Sequence, residues 1–311
     1  MDVRQLMILR ELAERGSLTA VARALYVTPS AVSQQLAALQ RGTATPLTEK
    51  RGRRLVLTPA GEALAAAAVD VAAALDRAAR AVDDHLDSPT VAVSVSAFHS
   101  AARSWFPPLL RLVAERGGPP LRCADEDVAQ QDFPGLVADY DLVVAHRPEA
   151  GPPWPANRVS VLPLLTEPLY VALAANHPLA RRRRLGVADV AGERWICVHE
   201  GFPLATTLDA LAAAAHRPLD IVHRINDFFV AASIAASGDA IALLPALTTR
   251  PEPGVVLRPL VDLEVRRHID VLARPETLAR RGVRSVLDGL RETVGTAGST
   301  SSALENLASR T

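Results

Sequence analysis

Apolar residues at Val3, Leu6, Leu9, Leu12 and Ala13 recur at helical spacing, and Gly16 supplies a left-handed stop. Ser17 is placed to cap a second helix whose Leu18, Val21, Ala22 and Leu25 share a face. Tyr26-Val27-Thr28 reads as a short turn. Thr28 then caps a third helix, with Pro29 at its first position, where the missing N–H costs nothing. Val32, Leu36 and Leu39 face inward, which leaves Ser30, Ser33, Gln34 and Gln35 outside. Two short helices around a tight turn, the second polar and uncharged outside, predict a helix-turn-helix. An ordinary helical hairpin with a solvated polar face fits the same spacing. The next segment tips the balance: Lys50-Arg51-Gly52-Arg53-Arg54 is a basic turn, and Leu55-Val56-Leu57 leaves it as a strand. A hairpin of this kind beside the helix pair is a wing.

Thr58 and Pro59 start another helix. Its Leu64, Ala68, Val71, Leu75, Ala78 and Val82 step by fours and threes, a heptad seam. Packing on its own domain is one use for such a seam, and pairing two copies is the other. Asp87-Ser88-Pro89 ends the helix. Beyond it, short apolar strands are expected at Val91–Val95, Asp139–Val144, Leu169–Ala174, Ile196–Val198, Ile221–Arg224, Ile241–Leu244 and His268–Leu272. Helices are expected near 102–115, 126–138, 187–191, 204–215, 228–237 and 277–294. Strands interleaved with helices mean an α/β sheet covered on both faces.

The 311 residues allow two or three domains, and 49% apolar content suffices for real cores. No apolar run reaches the length of a membrane span, and the N-terminus lacks the basic start and apolar core of a signal peptide. Cys123 and Cys197 form neither a metal spacing nor a disulfide framework, and nothing around them activates a thiolate. No metal and no cofactor are expected. Net charge is zero overall, yet residues 1–60 hold nine basic and four acidic groups. That +5 module is balanced by −5 elsewhere, an asymmetry that marks a surface facing double-stranded DNA.

The candidate chemistry follows from that surface. Thr28, Pro29, Ser30, Ser33, Gln34 and Gln35 present short polar groups to phosphates or base edges, and glutamine suits the N6/N7 edge of adenine. Arg51, Arg53 and Arg54 would clamp the backbone, each phosphate contact adding about −0.9 to the salt slope. In the α/β region, ligands bind beyond the carboxyl ends of strands. Ser96, His99, Ser100, Thr166, His199, Glu200 and Asn226 are the effector-contact candidates there, with Glu167 and Asp227 beside them. Arg181–Arg184 reads as a solvated surface run.

Three runs in residues 1–61 carry a resemblance: Ala20-Val21-Ala22-Arg23-Ala24-Leu25, Val27-Thr28-Pro29-Ser30-Ala31-Val32-Ser33-Gln34-Gln35-Leu36 and Arg53-Arg54-Leu55-Val56-Leu57-Thr58-Pro59-Ala60-Gly61. In order and spacing they resemble the LysR-type transcriptional regulators of bacteria. Three positions depart from the family pattern. Gln34 replaces an arginine on the recognition helix, Gln40 replaces a glutamate, and Thr48 replaces a core aromatic worth roughly 2–4 kcal/mol. More loosely, Asp141-Leu142-Val143-Val144, Glu167-Pro168-Leu169 with Ala175-Asn176-His177-Pro178-Leu179, and Gly238–Pro245 are similar to the family's effector domain.

The resemblance implies an α+β multidomain chain. A winged helix-turn-helix DNA-binding domain would occupy 1–58 and a long linker/dimerisation helix 59–88. A two-lobed, periplasmic-binding-protein-like α/β effector domain would follow at 89–294, with a flexible tail at 295–311. Lobe I would take about 89–165 and 266–294, and lobe II about 166–265, with crossovers near Leu165–Leu169 and Val256–Val265. It also implies a homodimer or homotetramer on an interrupted inverted-repeat operator, a small-molecule effector between the lobes, contact with RNA polymerase, and a cytoplasmic location without membrane contact. Two rivals remain for comparison. A transporter's solute-binding protein is opposed by the basic module and the missing signal peptide. An enzyme using Ser96 or Ser100 with His99 or His199 lacks any nucleophile elbow, phosphate loop or metal pair.

Overall fold

The computed structural model describes residues 1–51, 54–83, 91–249 and 252–308. Its N-terminal unit is helix α1 (Val3–Arg15), α2 (Leu18–Ala24) and α3 (Pro29–Arg41), followed by an antiparallel ribbon of β1 (Thr48–Arg51) and β2 (Arg54–Leu57). Asp2 and Gln5 form a capping box at the start of α1, and Gly16 ends it at φ 67°, where a side chain would be strained. Ser17 and Thr28 cap α2 and α3 through their hydroxyls, as the pattern predicted. Leu9, Leu12, Val21, Val32 and Leu39 are buried together. Leu25, expected on the inner face of α2, is instead 40% exposed, because it lies beyond the helix end as its C-cap.

Helix α4 (Pro59–Asp83) starts at Thr58, whose hydroxyl accepts from the Gly61 N–H. Ala65 and Ala68 are buried in the core of the first unit, and Leu64 and Val71 pack against it. The first half of the heptad seam is thus spent within this chain, while Leu75 stays 48% exposed. The side chains of Ala78 and Val82, and the Asp87–Pro89 stop, lie outside the described residues.

The remainder is a nine-stranded arrangement among the described residues. Its strands are β3 (Val93–Ala97), β4 (Leu121–Asp125), β5 (Leu142–Pro148), β6 (Ser160–Ala174), β7 (Arg194–Cys197), β8 (Asp220–Arg224), β9 (Ile241–Pro245), β10 (Val255–Arg258) and β11 (Arg266–Ala273). They run in the order β4-β3-β5-β11-β6-β9-β7-β8, with β10 also on β6. Fifteen-residue β6 pairs with β11 through Ser160–Pro168 and with β9 through Leu169–Ala172. It is therefore one crossover between two lobes, and the chain from β10 into β11 is the other. Each lobe holds its own apolar core. Helices α5 (His99–Glu115) and α9 (Arg281–Ala308) cover the first lobe; α6 (Val187–Val190), α7 (Ala205–Ala214) and α8 (Phe228–Ser237) belong to the second.

Several elements differ from expectation. β4 and β10 carry too few apolar alternations to register as strands. The helix expected near 126–138 is a 3-10 segment, Gln130–Ala138, interrupted by Pro134. The last helix, expected to end near 294, continues as α9 as far as Ala308. Its Gly, Ser and Thr lower helix propensity without stopping it, and no proline intervenes.

Candidate DNA-reading surface and effector cleft

The outer face of α3 is built by its buried one. With Val32, Leu36 and Leu39 fixed inward, Ser30, Ser33 and Gln34 are exposed and Gln35 is half-buried. Thr28 and Pro29 are exposed at the helix start. Gln40, half-buried at the other end, ties α3 to the ribbon. Its Nε2 donates to Thr45 O at 3.1 Å and its Oε1 accepts from the Leu47 N–H at 2.8 Å. An amide serves here because one group must donate and accept. Thr48 is half-buried beside Leu47, and Arg51 is exposed with Glu49 at 2.8 Å. Arg53 and the side chain of Arg54 lie outside the described residues.

Between the lobes, Phe98, His99, Ser100, Asp127 and His146 face Phe202, Asn226 and Phe228, leaving about 10 Å³ of free volume. That is room for about one water molecule. The lobes are closed. The structure brings three candidates into this cleft, namely His99, Ser100 and Asn226. His99 lies 2.9 Å from Asp125 and 3.6 Å from Asp127. Burial pushes the Asp127 carboxyl up, partly countered by His99 and Arg267. Asn226 Oδ1 accepts from the His199 N–H at 2.9 Å, which fixes its amide.

The other four candidates stand elsewhere. Ser96 is fully buried in β3 and does not line the cleft; its hydroxyl has no hydrogen-bond partner among the described residues. Thr166 is on β6, 3.2 Å from His268. His199 and Glu200 are exposed outside the cleft lining.

Sequence reasoning named Glu167 as a neighbour of the ligand candidates but missed its partner Arg267, with Thr248, behind the cleft wall and His146 at its floor. Arg267 of β11 and Glu167 of β6 face each other across the crossover strands, both with 0% exposure and 2.7 Å apart. Glu167 also accepts from the Leu247 and Thr248 N–H groups at 2.7 and 2.6 Å. Arg267 donates to Thr248 Oγ1 at 2.6 Å and to Ser100 Oγ at 3.2 Å. Its guanidinium lies over Phe98 and Phe228, 4.8 and 5.6 Å from their centroids. One ion pair therefore joins lobe I, both crossovers and the loop after β9. Full burial, with Arg267 close by, pushes the His146 imidazole well below its usual range. It stays neutral at the cleft floor. On β6 the available signal was Glu167 alone beside an apolar run; on β11 Arg267 is flanked by Arg266 and His268 and gives none. Burial also raises the Cys197 thiol, which leaves it a poor nucleophile. Among the described residues, no cluster of His, Cys, Asp and Glu is suited to a metal.

Two family models match this chain. "Bacterial regulatory helix-turn-helix protein, lysR family" matches residues 3–62, and "LysR substrate binding domain" matches residues 87–295. The transcriptional dual regulator GltC of Bacillus subtilis is 26% identical over 88% of this chain and 90% of its own length. A full-length OxyR variant from Pseudomonas aeruginosa superposes with a TM-score of 0.62 at 18% identity, covering 94% of each chain. Full-length CbnR complexed with its target DNA gives 0.52 at 20% identity, covering 94% of this chain and all of that one.

Proposed function

This chain belongs to the LysR family of bacterial transcriptional regulators, and from that premise we propose how it reads DNA and where its effector sits. It is a DNA-binding regulator with an effector-binding domain, and the family is one of regulators, not enzymes. As a member it binds DNA and self-associates.

In our reading, the DNA-binding domain is 1–58, the linker 59–88 and the two-lobed domain 89–294. Ser30, Ser33, Gln34 and Gln35 enter the major groove while Thr28, Pro29, Arg51, Arg53 and Arg54 hold the backbone. Two copies joined along the exposed part of α4 address two halves of an interrupted inverted repeat, because a two-fold dimer matches two half-sites. Whether a dimer or a tetramer forms, Leu75 is the exposed seam position among the described side chains. The effector lodges between the lobes against His99, Ser100 and Asn226. Its differential affinity for open and closed lobes biases the assembly and, through it, the contact with RNA polymerase in the cytoplasm. Among the described residues, no helix is long and apolar enough to cross a membrane.

The observation that carries this reading is α3, capped by Thr28 and exposing an uncharged polar face over a fully apolar one. Gln34→Ala tests it. Binding of the full chain to a library of duplexes should lose preference at one base pair, worth about 1–3 kcal/mol. Equal weakening on every sequence would reduce Gln34 to a positioning contact. For the cleft, a melting screen of the full chain against small metabolites should show a stabilisation of about 2.7 kcal/mol at 100 times Kd. A hit unaffected by Ser100→Ala and Asn226→Ala would place the effector elsewhere.

A further inference from the structure

Helix α1 faces two ways. Its apolar side builds the DNA-binding unit, and its charged side lies against lobe I. Arg10, 3% exposed, donates to Glu276 at 2.5 Å. Arg274 bridges Glu11 and Glu14 of α1 at 2.7 and 2.5 Å. Arg15 reaches Asp139 at 3.1 Å and the Ala138 carbonyl at 3.2 Å. Arg158 of lobe I donates to the Ala13 carbonyl at 2.8 Å, on the same side of the helix. The contact is thus balanced: two cations and two anions of α1 meet opposite charges on the effector domain. Apolar residues would have held these units together without any such pattern. Burying charges is costly unless each is paired, so this contact is strongly dependent on register.

The lobe I half of the contact is attached to the cleft in two places. β11 carries the hinge residue Arg267 near one end and runs directly into Arg274, about 23 Å of strand further on. The 3-10 segment that presents Ala138 to Arg15 begins at Gln130, whose N–H donates to the Gly201 carbonyl of lobe II at 3.2 Å. Each link is continuous, hydrogen-bonded structure, so a change of lobe angle displaces the partners of α1.

We propose that this ionic contact is a releasable latch, which holds the DNA-binding unit on its own effector domain and frees or re-seats it when the lobes move. It rests on the reading that a small molecule acts between the lobes, and it supplies the path from that cleft to α3. Because α3 remains exposed while α1 is held, the latch does not hide the DNA-reading face. It fixes where that face points. Glu11 supports the assignment: burial alone would raise its carboxyl, yet Arg274 and Arg15 hold it below its usual range.

The test needs no effector. Spin labels at Ser33→Cys in α3 and Glu115→Cys in α5, in a background lacking Cys123 and Cys197, report the distance between the two units by pulsed EPR. Labelled full-length chain is diluted with unlabelled chain so that only distances within one chain are read. The wild type should give one narrow distribution. Arg274→Ala with Glu276→Ala, which leaves net charge unchanged, should broaden and lengthen it. Arg274→Lys, which keeps a cation between Glu11 and Glu14, should retain the narrow distance. Circular dichroism melts of each variant establish that both units are folded. An unchanged distribution in the double alanine variant overturns the latch, and so does a distribution broadened equally by Arg274→Lys, which conserves the charge. These readouts are independent of the effector screen, so an effector bound elsewhere would leave the latch itself standing or falling on the distances.

Discussion

Glu167→Gln removes one charge from the ion pair that joins the lobes. Arg267 then keeps its positive charge with 0% exposure, and its remaining side-chain partners are the Ser100 and Thr248 hydroxyls and, at 3.5 Å, His146 Nδ1. The new amide is also mismatched. If its oxygen continues to accept from the Leu247 and Thr248 N–H groups, its NH2 faces the guanidinium, donor against donor. Removing one partner of a buried pair costs about 3–5 kcal/mol. For a unit of this size each kcal/mol lowers the melting temperature by roughly 2–4 °C, so a fall of about 6–20 °C is expected. Arg267→Met should cost less, because the Glu167 carboxylate retains two backbone donors and the Thr248 hydroxyl. The decisive variant combines Glu167→Gln with Arg267→Met, which removes both charges and keeps an acceptor for the backbone. It should be more stable than Glu167→Gln alone. Urea and thermal unfolding, followed by tryptophan fluorescence, measure all four proteins. A Glu167→Gln loss below about 1 kcal/mol, or a double variant worse than that single one, would refute the argument, since breaking a buried pair should cost several times more.

Two further outcomes are expected. The folded-state pKa of His146 lies well below 6.5, so its contribution to stability is complete above that value and is lost as pH falls beneath it, where the unfolded chain takes up the proton first. Urea unfolding at pH 7.5 and 5.5 should show that loss in the wild type and a flatter response in His146→Phe; equal slopes would contradict a buried neutral imidazole. Leu75→Asp touches a 48% exposed position, so the melting temperature of the isolated chain should hold while size-exclusion chromatography shows loss of the dimer; a persisting dimer would move the seam elsewhere.

Legibility in the sequence followed the range of the interactions. The DNA-binding unit is written in neighbouring residues: Gly16 stops one helix, Ser17 starts the next, and Thr28-Pro29 starts a third, each through contacts within a few positions. The cleft is written across a hundred. Glu167 stood out as a candidate, but as a ligand contact. Its partner Arg267 sits in Arg266-Arg267-His268, which reads as surface charge until β6 and β11 are paired. The same holds for α4, where one apolar stripe serves two purposes. Periodicity shows that Leu64, Ala68, Val71 and Leu75 share a face, and only the packing of α1 shows where the intrachain share ends. Ser96 illustrates the opposite failure. Its place after a run of strand residues suggested a ligand contact, yet one more residue of strand turns it into the interior.

The closed cleft has a consequence for time as well as affinity. With about 10 Å³ between Phe98, Phe202 and Phe228, no metabolite enters until the lobes part. If the open form makes up a fraction f of the molecules, the apparent Kd is the intrinsic one divided by f, so about 1% open means a hundredfold weaker apparent binding. Association then runs no faster than opening allows, and departure waits on opening too. The aromatic closure and the Arg267–Glu167 pair would act together as a delay element. Brief fluctuations in effector concentration would pass unanswered, and a sustained rise would be remembered after it ends.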